Sequence, residues 1–167
     1  IYLLVLLGMG TLKAQETRIS AVAFEGLKRT NEGFLRRLLD LNATTVYDSL
    51  KIKKDIDRLN RLPGIANAKD SLVPNGDGYT LTYYLEENFT IIPGLRIATA
   101  NNGSFAYRLS LFDFNFLGNN QLLGGFYERN VFNSFGFFWE HPFLFSDKWG
   151  LGFNYQDNTR QEPIFFE

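Results

Sequence analysis

The chain has 167 residues and a formal net charge of −1, enough for one domain or for one small domain plus part of another. So even a charge balance gives no global field to draw it onto nucleic acid or an acidic surface. There is no cysteine, which excludes disulfide scaffolds and thiolate metal sites, and aromatic residues reach 16%, most of them crowded between Phe105 and Tyr155.

The chain starts inside an apolar run, IYLLVLLGMG, followed by TLKAQ. The run is too short for a membrane-spanning helix, which needs about 20 residues. It suits the apolar region of a signal peptide, with cleavage expected after Ala14, so residues 1–15 are read as a partial export signal. From 16 to 88 the composition changes to a balanced mixture of acidic and basic residues. A strand is predicted over 19–24, ended by a turn at Glu25-Gly26. Thr30 is placed as N-cap of a helix carrying Phe34, Leu35, Leu38 and Leu39 on one face, with Asn42 closing it. A second helix starts at the N-cap Asp48, with Tyr47 and Ile52 as its hydrophobic staple. Ile52, Ile56, Leu59 and Leu62 form its apolar stripe, and Lys51/Asp55, Lys53/Asp57 and Asp57/Arg61 its outer charge pairs. Pro63-Gly64 stops it. Two strands, 65–72 and 79–86, flank a turn over Val73-Pro74-Asn75-Gly76-Asp77-Gly78. Strand–helix–helix–strand–strand buries both stripes if the helices share one face of the sheet.

The spacing Ile19-x-x-Val22-x-Phe24-Glu25-Gly26-Leu27-Lys28-Arg29-Thr30 resembles the opening of a POTRA domain. Tyr47, Asp55, Leu59-Asn60-Arg61-Leu62-Pro63-Gly64-Ile65, Ala68 and the closing Leu85-Glu86-Glu87-Asn88 resemble the same family in order and spacing.

Beyond 88 the pattern becomes that of strands. A first is expected over 91–99, then a tight turn at Asn101-Asn102-Gly103, a second over 105–111, a third over 122–131 and two more within 135–156. In the last, Trp149, Leu151, Phe153 and Tyr155 alternate with Gly150, Gly152, Asn154 and Gln156, so one ribbon face is greasy and the other small or polar. Phe112, Phe114 and Phe116 fall on the parity of Arg108, a slip assigned to a bulge or the membrane boundary near Phe112. The non-greasy face carries Gly, Ala, Ser and Asn with Arg96, Arg108 and Glu140. An arginine facing lipid at mid-bilayer costs about 2–4 kcal/mol, so these residues are expected to face a lumen and the greasy face lipid. Trp139, Trp149 and Tyr155 suit interfacial girdles.

Asp113-x-Asn115-Phe116-Leu117-Gly118-x-Asn120 resembles an element that follows the second barrel strand in BamA/TamA-type outer-membrane proteins, with Asn120 in place of the usual glycine. Trp139-Glu140-His141-Pro142-Phe143-Leu144-Phe145 resembles a loop of the same superfamily. The resemblance implies an α+β POTRA domain (16–88) followed by about five strands (89–167) of an incomplete antiparallel transmembrane β-barrel, the remaining strands and the inward lid loop lying beyond residue 167. It also implies a protein of a diderm outer membrane, its POTRA domain in the periplasm, that assists insertion or translocation of client proteins. Its partners would be unfolded outer-membrane clients, periplasmic or lipoprotein partners and the bilayer, with no nucleic acid.

Two client-contacting surfaces are implied. One is the exposed POTRA edge strand, Ile65, Ala66, Asn67, Ala68, Lys69, Asp70, Ser71 and Leu72, able to pair with a partner strand. The other is the first barrel strand, Ile91, Ile92, Pro93, Gly94, Leu95, Arg96 and Ile97, as one side of a lateral seam. Pro93 lacks a donor and Gly94 packs little, which weakens pairing there, or else Pro93 marks the strand's entry. The motif residues Asp113, Asn115, Phe116, Leu117 and Gly118 complete the candidate set. Alternatives are a passive channel or structural barrel with a retained POTRA domain, and a soluble periplasmic interaction protein whose aromatic strands form a core. No enzyme, metal or cofactor is called for. His141 is the sole histidine and no G-x-S-x-G accompanies it. Asp55 and Asp57 do not face each other on a helix, and the Asn75–Gly78 turn lacks the further acidic ligands of a calcium loop.

Overall fold

The computed structural model describes residues 18–40, 46–76, 78–145 and 148–159. The expected export signal, its cleavage position, Asn42 and the C-terminal 160–167 lie outside them.

The first unit is built from β1 (Ile19–Glu25), α1 (Glu32–Leu38), α2 (Ser49–Leu59), β2 (Ile65–Asn75) and β3 (Gly78–Glu87). Its sheet has the order β1-β3-β2, with β1 parallel and β2 antiparallel to the central β3. The stripes predicted for both helices converge on it. Phe34, Leu35, Leu38, Leu39, Ile52, Leu59 and Leu62 form one core with Ile19, Val22, Ile65, Ala68, Leu81, Tyr83 and Leu85, and Ile56 packs at its margin.

Several local expectations are corrected. The N-cap of α1 is Asn31, not Thr30: the Asn31 side chain accepts from the Gly33 and Phe34 amides (2.8 and 3.3 Å). An Asn is as good a cap as a Thr, and Thr30 is engaged elsewhere. Asp48 caps α2 as predicted, accepting from the Leu50 and Lys51 amides. Asp55 is not on the outer face: it is fully buried, because it stands three residues after Ile52 and one before Ile56, inside the apolar stripe. Its carboxylate accepts from the Asp40 amide (3.0 Å) and the Tyr83 hydroxyl (3.2 Å), with Arg58 3.9 Å away. Burial first, and the Asp55 charge second, push the Tyr83 phenol far above its ordinary range. The β2–β3 hairpin is also tighter than expected, with Val73, Pro74 and Asn75 in the ladder and Asn75 paired with Gly78.

The second unit is a five-stranded antiparallel sheet in sequential order, β4 (Ile91–Thr99), β5 (Phe105–Phe116), β6 (Gln121–Arg129), β7 (Asn133–His141) and β8 (Leu151–Asp157). The registers put Pro93, Leu95, Ile97, Leu109, Leu111, Tyr127, Phe137, Trp139, Phe153 and Tyr155 on one face. Gly94, Arg96, Arg108, Ser110, Gly124, Phe126, Gly136, Phe138, Glu140 and Asn154 take the other. The greasy face is open: Leu95 is 67% exposed, and Leu109, Leu111, Phe153 and Tyr155 are exposed as well. A contiguous apolar surface of this kind marks an interaction or membrane face rather than a monomer's solvated surface. No helix among the described residues is long and apolar enough to cross a membrane, which leaves crossing by strands untouched.

The ladder runs without interruption through Phe112, and the irregularity falls between Asp113 and Phe116. Phe112 therefore belongs to the polar face, where its ring lies over Gly124, as Phe126 lies over Gly136. Phe112 and Phe126 each pack tilted against Phe138, with ring centroids 5.7 and 6.1 Å apart, and the Arg108 guanidinium sits 3.7 Å over Phe126 while bonding Glu128. At Phe112 the slip is an aromatic cluster filling the space that glycines leave, and the expected bulge falls just after it, between Asp113 and Phe116. Trp149 precedes β8 rather than opening it.

Candidate functional site

The turn after β5 is bound to the first unit. The residues of the Asp113–Gly118 motif lie at the end of β5 and in the turn over 117–120, and they meet the segment 29–31 of the first unit. Arg29 donates from Nη1 to the Thr90 hydroxyl (2.7 Å) and from Nη2 to Asp113 Oδ2 (2.8 Å). Thr90 in turn donates to Asp113 Oδ1 (2.8 Å), which also accepts from the Asn115 amide (3.0 Å). Asn115, almost wholly buried, donates from Nδ2 to the Thr30 hydroxyl (3.0 Å) and accepts at Oδ1 from the Asn120 amide (2.9 Å). The Asn31 amide donates to the Gly118 carbonyl (2.8 Å), and the Phe114 amide to the Thr90 carbonyl (3.0 Å).

Two glycines make this approach possible. A Cβ on Gly118, whose φ is +72°, would run into the Arg29 carbonyl, and one on Gly64 would meet the Asn115 amide nitrogen at 2.8 Å. Leu117 and Asn120 also have positive φ, 55° and 54°. Asn tolerates that conformation, so Asn120 does serve in place of a glycine, whereas at Leu117 the left-handed backbone costs about 1–2 kcal/mol. From the first unit, Glu87 accepts from the Arg29 and Thr30 amides (2.9 and 2.8 Å). Burial opposes its ionisation, but the Thr30 and Arg29 amide donors outweigh burial and hold its carboxyl below the ordinary value. A second bridge is apolar: Phe143, in the loop after β7, packs on Phe34 with centroids 5.7 Å apart and reaches the core of the first unit.

The predicted motif residues are thus brought together, and the predicted strand residues are not part of that cluster. Ile65 to Leu72 lie in β2, an edge strand. The Ala68 amide donates to Asn60 Oδ1 (2.8 Å), out of the ladder. By alternation Asp70, Leu72 and Pro74 also turn their backbone groups outward, and Pro74 has no donor. The outward donors left on β2 are those of Asp70 and Leu72, bracketed by Asn60 and Pro74. The edge of β1 is more fully used, with Arg18 bridged to Val46 and the Val22 carbonyl accepting from Arg36 (2.9 Å).

Ile91 to Ile97 lie in β4, which pairs only with β5 among the described residues. The bonds from Phe114 to Thr90 and from Ala100 to Ser104 set the alternation. Even-numbered residues of β4 face β5, while Ile91, Pro93, Leu95, Ile97 and Thr99 turn their backbone groups to the open side. The donor missing at Pro93 is therefore missing from the open edge, and the β4–β5 ladder loses nothing. Reading the sequence did not single out Arg29, Thr90, Glu87 or Gly64 as site residues. The signal was that Arg29-Thr30 stands in the POTRA-like opening stretch, Gly64 in the downstream one and Glu87 in the closing one; Thr90 stood in none.

The class of fold is therefore a small α+β unit locked to the start of an open antiparallel sheet. The POTRA family, described as surface antigen variable number repeat, matches residues 17–88. Among solved structures, BamA from Haemophilus ducreyi lacking POTRA domains 1–3 is similar at a TM-score of 0.68 and 20% identity, over 83% of this chain and 27% of that one. CdiB from Acinetobacter baumannii is similar at a TM-score of 0.54 and 14% identity, over 85% of this chain and 28% of that one. No curated protein matches the chain. Residues 17–88 thus match the POTRA family, the chain as a whole shares the fold of the corresponding part of those two proteins, and it spans little more than a quarter of their length.

Proposed function

We propose that the protein assists insertion or translocation of client proteins at the outer membrane, with the POTRA domain in the periplasm, the greasy face of β4–β8 in lipid and Arg96, Arg108 and Glu140 toward the lumen. The observation that carries this reading is that β2 keeps an outward edge on a unit that the junction network fixes to the first hairpin of the greasy-faced sheet. A client strand can pair with the outward groups of Asp70 and Leu72 on the POTRA domain. A second strand can pair with Ile91, Leu95, Ile97 and Thr99 across the seam. Pro93 supports the seam reading because it lowers the pairing strength there by one bond, about 1 kcal/mol, on the side where strands must part. Periplasmic or lipoprotein partners would use the same POTRA edge.

Depletion of the protein tests the activity: other barrels should be lost from the outer membrane. Unchanged barrel levels would favour a passive channel instead. Photo-crosslinkers placed at Asp70 and Leu95 should capture nascent barrel strands, and capture at neither position would remove both surfaces from the mechanism.

A further inference from the structure

The greasy face is not uniform. A groove of about 450 Å³ runs over it, lined by Ile91, Leu111, Leu123, Gly125 and Phe137, with Asp113 at its end nearest the POTRA domain. All of these residues lie on the face that the registers assign to Leu95, Leu109 and Phe153. Gly125 stands between Leu111 and Phe137 in register and forms the floor. That floor cannot be filled by a side chain, because a Cβ on Gly125 would lie 2.6 Å from the Gly136 carbonyl oxygen. The single charged lining group, Asp113, is paired with Arg29, whose side chain is still 39% exposed. Two of the guanidinium's five N–H donors are spent on Thr90 and Asp113, which leaves donors for another anion. Lys28 beside it is exposed.

We propose that this groove and Arg29 form a binding site for a glycerophospholipid of the periplasmic leaflet, with one acyl chain in the trough over Gly125 and the phosphodiester on Arg29 and Lys28. The proposal rests on the outer-membrane reading. An apolar trough that ends at Asp113, with the half-exposed Arg29 guanidinium paired to it just beyond, matches an amphiphile with an anionic group at the head of its chain. Arg is suited to that group, since its planar fork binds phosphate oxygens in pairs. Bound there, the lipid would lie against both the POTRA–barrel junction and the first hairpin.

The test uses the natural full-length protein in nanodiscs of phosphatidylglycerol and phosphatidylethanolamine carrying a diazirine on the acyl chain, with labelled residues mapped by mass spectrometry. Labelling of Leu111, Leu123 and Phe137 should exceed that of Leu95 and Phe153 severalfold. Leu123→Trp, which fills the trough and leaves the junction bonds in place, should abolish the excess while the folded barrel still migrates heat-modifiably. Arg29→Gln should lower it severalfold, and free inorganic phosphate should not compete. Even labelling over the whole greasy face would overturn the site and leave the membrane reading standing. Absence of labelling from a protein that stays soluble without detergent would overturn the membrane reading as well. An excess unaffected by Arg29→Gln, or competed away by inorganic phosphate, would overturn the lipid phosphodiester contact.

Discussion

Asn115 is the residue on which the junction turns. Its amide serves Thr30 and Asn120 at once, and both bonds are buried. Asn115→Ala removes both bonds and leaves the buried Asn120 amide without its partner, and should cost about 1–3 kcal/mol, read as a lower midpoint in chemical denaturation. Leu117 should behave in the opposite way: Leu117→Gly removes the left-handed penalty and should raise the stability by about 1 kcal/mol, less the entropy a glycine adds to the unfolded chain, read as a higher midpoint. Glu87 supplies a pH dependence. Its folded pKa lies below its ordinary 4.5, so its contribution is complete above that value and is lost as pH falls through the lowered one. Denaturation midpoints measured from pH 7 down to 3 should therefore fall more steeply in the natural protein than in Glu87→Gln. A parallel fall would remove Glu87 as the cause.

The elements were legible where period and caps are local. The two-residue alternation of β8 and the stripe of α2 follow from which side chains share a face, and Asp48 announces its helix. Legibility stopped where the determinant is distant. Thr30 has every attribute of a cap, yet its hydroxyl is committed to Asn115, far along the chain, so the helix begins one residue later on Asn31. Asp55 fits an outer i,i+4 pair on paper; only Asp40 and Tyr83, brought from other elements, explain its burial. Phe112 looked out of phase because the glycines it covers lie on the neighbouring strand. At this scale the edges can be probed. Leu72→Pro removes one of the two outward donors of β2 without touching the β3 ladder, and should weaken client capture at Asp70 while leaving the POTRA fold intact by circular dichroism. Pro93→Val restores a donor on the open side of β4 and should slow client insertion by tightening the seam. An unchanged rate would assign Pro93 to strand entry.

At the scale of the whole molecule, two sheets with different hydrogen-bond ladders are made one body by contacts between 29–31, 87–90 and 113–120, with Phe143 reaching back to Phe34. The core of the POTRA domain is small, and a domain of that size hides only about 60% of its unfolded surface, so the junction bonds are a sizeable part of its stability. The family boundary at residue 88 and the boundary of cooperative structure are therefore different lines. This has a consequence for inheritance and for engineering. The Arg29 guanidinium, the Thr30 hydroxyl and the Gly64 backbone are complementary to Asp113, Asn115 and Gly118, so a change on one side selects for a matching change on the other. The transplantable cassette is 17–120, including the first barrel hairpin. A chimera exchanging 17–88 alone between distant relatives should assemble poorly, and one exchanging 17–120 should assemble well.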